Sequence, residues 1–150
     1  MKALKIYVVL LLAVIGTMAC EKNELPEITE VEIGHNNSRK AEIGGDLHIN
    51  ALITAVHKIA SIRLVIHSDE EGHHHASQIE HASGVQEEWE VNTTFTGVYA
   101  NVKNTTFHED IDIPSHAGPG PYHLQLFVTD LEGNQGMFET EIELITPLAD

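Results

Sequence analysis

From about residue 27 to residue 145 the chain repeats one pattern, apolar and polar residues in alternation, interrupted by clusters rich in Gly, Pro, Asn and Asp. A period of two marks a strand buried on one face, and helical spacing of apolar residues is missing, so the pattern predicts an all-β domain. Strand A is read over Glu27 to Ile33. Strand B runs from Leu47 to Val56, with Leu47, Ile49, Ala51, Ile53 and Ala55 sharing a face, and strand C from Ala60 to His67, with Ile62, Leu64 and Ile66 inward. After a polar stretch from Ser68 to Gln86, strand D covers Glu88 to Thr96, alternating Trp89, Val91, Thr93 and Phe95. Strand E covers Thr105 to Ile113 and stops at Pro114. The turn from Ser115 to Pro121 leads into strand F, with Tyr122, Leu124, Leu126 and Val128 inward, and the hairpin turn Asp130 to Asn134 leads into strand G, with Phe138, Thr140, Ile142 and Leu144 inward. Seven short strands at this spacing predict an immunoglobulin-like, seven-stranded antiparallel β-sandwich with sheets A-B-E-D and C-F-G. Tyr122, at the start of F, is placed to form a tyrosine corner.

A single cysteine, Cys20, leaves such a sandwich without a disulfide, so its core alone must hold it. That cysteine closes a segment of a different kind. Lys2 and Lys5 precede an apolar run from Ile6 to Ile15, and Gly16, Thr17, Met18 and Ala19 are the residues before the thiol. This reads as a signal peptide over residues 1–19 with a lipobox, in which Thr17 stands where Leu is usual. As a helix, Ile6 to Ala19 reaches only about 21 Å at about 1.5 Å per residue, short of the roughly 30 Å hydrocarbon core. Lipidation at Cys20, a tether over residues 20–25, the sandwich over 26–146 and a tail over 147–150 complete the expected organisation. Acidic residues just after the cysteine resemble the export tags of surface lipoproteins in Bacteroidetes-like bacteria, which points to the cell envelope, the outer membrane and surface exposure.

Eight Lys and Arg stand against 23 Asp and Glu, for a formal charge of -15. Phosphate backbones are bound by neutralising charge with Lys and Arg, so nucleic acid is excluded as a partner and cations are favoured. The eleven histidines outnumber Lys and Arg together. In the expected topology most of them approach the pole formed by the A-B, C-D and E-F loops, away from the tether. Parity along the strands puts His67 and His123 on the outer face of neighbouring strands C and F, with Glu141 or Glu143 of strand G beside them. His73 or His75 of the C-D loop would add a fourth ligand, with His74 and His116 as further donors. His48 and Asp112, on the outer face of the other sheet, would make a second, weaker site. Imidazole and carboxylate without thiolate suit Zn(II), Cu(II) or Ni(II).

Other chemistries fit less well. Asp130, Glu132 and Asn134 echo a calcium loop, but Gln135 stands where that loop needs Gly. No Gly-x-Ser-x-Gly elbow or His-Glu-x-x-His helix is present, so no enzyme is expected. The competing class is an adhesion or accessory module that binds an envelope protein or a glycan through the C-F-G face, where Val65 and Phe127 point outward.

The segments from Ile66-His67 to His75, from Phe107-His108-Glu109-Asp110 to Pro114, and from Gly120-Pro121-Tyr122-His123-Leu124 to Asp130 together resemble a domain-of-unknown-function family (DUF4625) of small Ig-like lipoproteins from Bacteroidetes. The resemblance covers roughly residues 26 to 146. It implies an Ig-like fold and a lipid anchor, with further histidines in the family where this chain has Asp110 and Gln125, and it brings no assigned activity.

Overall fold

The computed structural model describes residues 24–68 and 89–148. The expected signal peptide, Cys20 and the loop histidines His73, His74, His75 and His81 lie outside the described residues. Among the described residues eight strands follow one another: β1 (Glu27–Ile33), β2 (Lys40–Glu42), β3 (Asp46–Thr54), β4 (Ile59–Ser68), β5 (Val91–Phe95), β6 (Asn104–Asp112), β7 (Gly120–Asp130) and β8 (Gln135–Ile145). They form a three-stranded sheet in the order β1-β3-β6 and a five-stranded sheet in the order β2-β8-β7-β4-β5.

The alternation in the sequence becomes the layer between the sheets. On β3, Leu47, Ile49, Ala51 and Ile53 are fully buried; Ile62, Leu64 and Ile66 of β4, Leu124, Leu126 and Val128 of β7, and Ile142 and Leu144 of β8 meet them from the other sheet. Each large aliphatic chain buried this way contributes about 1.5–3 kcal/mol, which is how a sandwich without a cross-link holds together. Phe107 of β6 is fully buried too, edge-on to Phe95 with ring centroids 5.1 Å apart.

Two features correct the expected seven-stranded, antiparallel arrangement. The strand read as D, now β5, pairs antiparallel with β4, so it belongs to the larger sheet and leaves β6 with a single neighbour. Alternation fixes which side chains face inward but not which backbone lies alongside. Phe95 illustrates the difference, because its backbone is opposite Ile62 while its ring crosses the layer to Phe107. The second feature is β2, three residues inside the expected A-B connection, which pairs parallel to β8. Only Ala41 of the three is buried, too short a pattern to read as a strand.

Three local contacts fix the ends of the sandwich. The tyrosine corner is present, since the hydroxyl of buried Tyr122 donates to the Gly118 carbonyl at 2.9 Å. Buried Asp130 organises the β7–β8 turn, accepting from the Glu132 N–H at 2.9 Å, the Asn134 N–H at 2.8 Å and the Asn134 side-chain amide at 2.9 Å. Gly136 lies directly beneath the Pro26 carbonyl, where any Cβ would collide with that oxygen. The close approach seats the entry to β1 on β8.

Burial tends to raise the Asp130 carboxyl, but the hydrogen bonds from Asn134 and Glu132, with His57 nearby, outweigh it and hold the group below the usual carboxylate range. Its contribution to stability is therefore in place above the unfolded-state value and is lost as pH falls through the folded-state value. Asp130→Ala should lower the urea midpoint clearly at pH 7, and the gap to wild type should narrow at the lowest pH where both remain folded. A gap independent of pH would contradict this reading. Tyr122→Phe removes the hydroxyl that donates to Gly118 and should cost about 1 kcal/mol in urea unfolding without changing the far-UV circular dichroism.

Candidate metal centre

Strands β3 and β6 pair in unbroken antiparallel register from Asp46–Asp112 to Thr54–Asn104. Because Leu47 and Ile49 are inside, His48 between them points out, and on β6 buried Phe107 leaves His108 and Asp110 on the same outer face. The register sets His48 opposite Asp110, with His108 one diagonal step away opposite Asn50. His48 Nδ1 lies 2.8 Å from Asp110 Oδ1, and the His48 and His108 rings meet edge to face with centroids 5.0 Å apart.

Among the described residues, this is where three metal-ligating side chains converge: one donor atom from each of His48, His108 and Asp110 lies within 4.8 Å of the others. Two ligands of one zinc ion are at most about 4.2 Å apart, twice a bond of about 2.1 Å. His108 and Asp110 are exposed and His48 is half-buried, so rotation of the two outer side chains closes the difference around a more firmly held imidazole. Tyr99 steadies the strand behind them. Its hydroxyl is 3.0 Å from the His108 carbonyl and 2.6 Å from Glu109 Oε1. Burial, followed by the hydrogen bond to the Glu109 carboxylate, raises the Tyr99 phenol above its ordinary range, so it stays a donor at neutral pH.

The site expected from parity on the other sheet is assembled in part. His67 and His123 are directly opposite each other, their ring centroids 5.6 Å apart, and Glu141 is opposite His123. His67 Nδ1 is 3.1 Å from the Ser68 carbonyl. Glu143 falls opposite Pro121 and forms an ion pair with Lys40. The loop donors His73, His74 and His75 lie outside the described residues, and His116 is exposed in the β6–β7 connection. Asp112 does not meet His48: the register places it opposite Asp46, and Asp110 takes the position expected of it. His108 was missed because the parity signal was there but the register that brings it to His48 was not.

Val65 and Phe127 are half-buried on the outer face of the larger sheet. They stand on adjacent rows, and the Arg63 guanidinium lies over the Phe127 ring, 4.6 Å from its centroid, so the apolar patch is partly roofed.

The family described as Domain of unknown function (DUF4625) matches residues 17–145. The chain belongs to that family. Its description carries no activity, so the family gives the chain a kinship without a task. Among curated proteins none matches significantly. Two similar solved structures are Spo0M, a sporulation control protein from Bacillus subtilis, and a beta-glucosidase from Listeria innocua in complex with isofagomine. The first is 11% identical with a TM-score of 0.46, over 81% of this chain and 49% of that one. The second is 12% identical with a TM-score of 0.37, over 81% of this chain and 16% of that one. This DUF4625 chain thus spans about half the length of the first and a small part of the second.

Proposed function

We propose that the protein is a lipid-anchored, immunoglobulin-like binding module of the cell envelope that captures or buffers a transition metal, Zn(II), Cu(II) or Ni(II), without catalysing a reaction. The observation that carries this reading is the convergence of His48, His108 and Asp110 on one outer sheet face. Two imidazoles and a carboxylate are donors for a borderline divalent ion, and each is held by a paired strand rather than a loop. The chain's formal charge of -15 adds a field that concentrates cations near the surface. The His67–His123–Glu141 row supports a second, weaker site on the opposite sheet. Anchoring rests on the sequence from Lys2 to Cys20, and β1 starts at the pole opposite His48, which keeps the centre away from a membrane that holds Cys20.

Calorimetric titration with Zn(II) or Cu(II) tests the reading. A tight phase should appear at neutral pH and weaken strongly near pH 5, because imidazole must be deprotonated to ligate. His48→Ala with His108→Ala should weaken that phase at least about 100-fold, since losing even a supporting partner of a ligand costs about 10- to 100-fold. His67→Ala with His123→Ala should remove only a weaker phase. Binding unchanged by the first pair would end the proposal.

The anchor has its own test. Cys20→Ala should move the protein from the membrane fraction to the soluble fraction, and retention in the membrane would remove the lipid assignment.

A further inference from the structure

His35 stands outside the three-donor cluster, yet the backbone around it is arranged to hold it there. It opens the short 3-10 turn His35–Asn37 between β1 and β2. Asn36, Asn37 and Arg39 have φ of 57°, 55° and 56°, a left-handed region that Asn enters more readily than most residues and Arg only rarely. Gly34 has φ +68°, and a Cβ there would sit 2.7 Å from the Lys40 carbonyl oxygen, so no other residue fits without moving the turn. The Ile33 N–H donates to Asn37 Oδ1 at 3.1 Å and the Arg39 N–H to the Ile33 carbonyl at 2.8 Å, closing the turn on itself. The Gly34 N–H then donates to the carbonyl of His48 at 2.8 Å, which ties this turn to the central imidazole of the cluster.

The rings are also in contact. The His35 ring lies nearly parallel to that of His48, 13° between planes, with centroids 5.6 Å apart, and the His48 and His108 centroids are 5.0 Å apart. Two imidazoles on one ion have centroids roughly 5 Å apart, given a bond of about 2.1 Å, about 1.1 Å from nitrogen to ring centre and a tetrahedral angle. The His35 centroid thus lies close to a co-ligand's distance from His48, but the two rings are stacked, so the His35 ring must rotate to aim a nitrogen at a shared ion. The His35 side chain is 75% exposed, so its ring can turn onto an ion, and its Nε2 is 3.8 Å from Asp46 Oδ2, too far for a hydrogen bond to hold it back.

We infer that His35 is the third imidazole of the centre, so that His35, His48, His108 and Asp110 form a three-nitrogen, one-oxygen donor set selecting Zn(II) or Cu(II) over hard ions such as Ca(II) or Mg(II). The inference rests on the reading of this cluster as a metal centre. The test uses the purified full-length chain with Cu(II) and Zn(II), the centre's signal being the component missing from His48→Ala. In Cu(II) electron paramagnetic resonance that component should show coupling to three nitrogens in wild type and to two in His35→Ala. Zn(II) affinity should fall at least about 10-fold in His35→Ala with an unchanged urea midpoint, and Gly34→Ala, which displaces the turn, should weaken Zn(II) as well. Loss of the component in His48→Ala with wild-type affinity and three-nitrogen coupling in His35→Ala would overturn the third imidazole alone. Wild-type binding in His48→Ala would overturn the underlying metal centre and the inference with it.

Discussion

Leu47, Ile49, Ala51 and Ile53 fill one side of the layer between the sheets, and the side-chain period of a strand then leaves no choice for the residues between them. His48 faces solvent because both its neighbours are inside. A slip of one residue between β3 and β6 would bury polar side chains and expose aliphatic ones, so the core enforces the register, and the register places Asp110 opposite His48. The cluster is thus a by-product of packing in the literal sense. No loop has to order itself for His48, His108 and Asp110 to meet.

The same logic gives the two faces different characters. On the smaller sheet the outward rows bring a carboxylate to an imidazole, Asp110 to His48, and the turn beside it leaves His35 near Asp46. On the larger sheet, Lys40 takes Glu143 and Arg63 lies over Phe127, so two of the few cations are already engaged there. A carboxylate beside a histidine both attracts a cation and orients the ring, whereas one held by lysine does neither as well. For the proposed metal binding, this asymmetry favours the smaller sheet over the larger one to which the sequence drew attention.

Much of the fold was legible because alternation is a local signal. The strand expected at Glu27 to Ile33 has those bounds, and the inward residues read for strands B, C and F are the buried ones. The neighbours of a strand are not local information. The position of β5 beside β4 rather than β6, the parallel pairing of β2 with β8, and the meeting of His108 with His48 all depend on register or sheet membership, which no window of sequence contains. His67 opposite His123 was accessible because two buried rows of known parity bracket both residues. The turn at His35 was opaque for another reason. Gly34, Asn36 and Asn37 mark a turn in the sequence, but nothing local says that it folds back onto His48.

The break between β1 and β2 also bears on how the molecule avoids sticking to its own copies. A single stretch of chain first pairs with β3 and then, after the His35 turn, with β8, so it covers the free side of both sheets at one flank of the sandwich. Neither covering piece is itself a good template for another strand. β2 is three residues long, and β1 carries Glu27, Glu30 and Glu32 with an irregularity between Thr29 and Glu32. Short, charged or irregular borders are how β-proteins discourage border-to-border association.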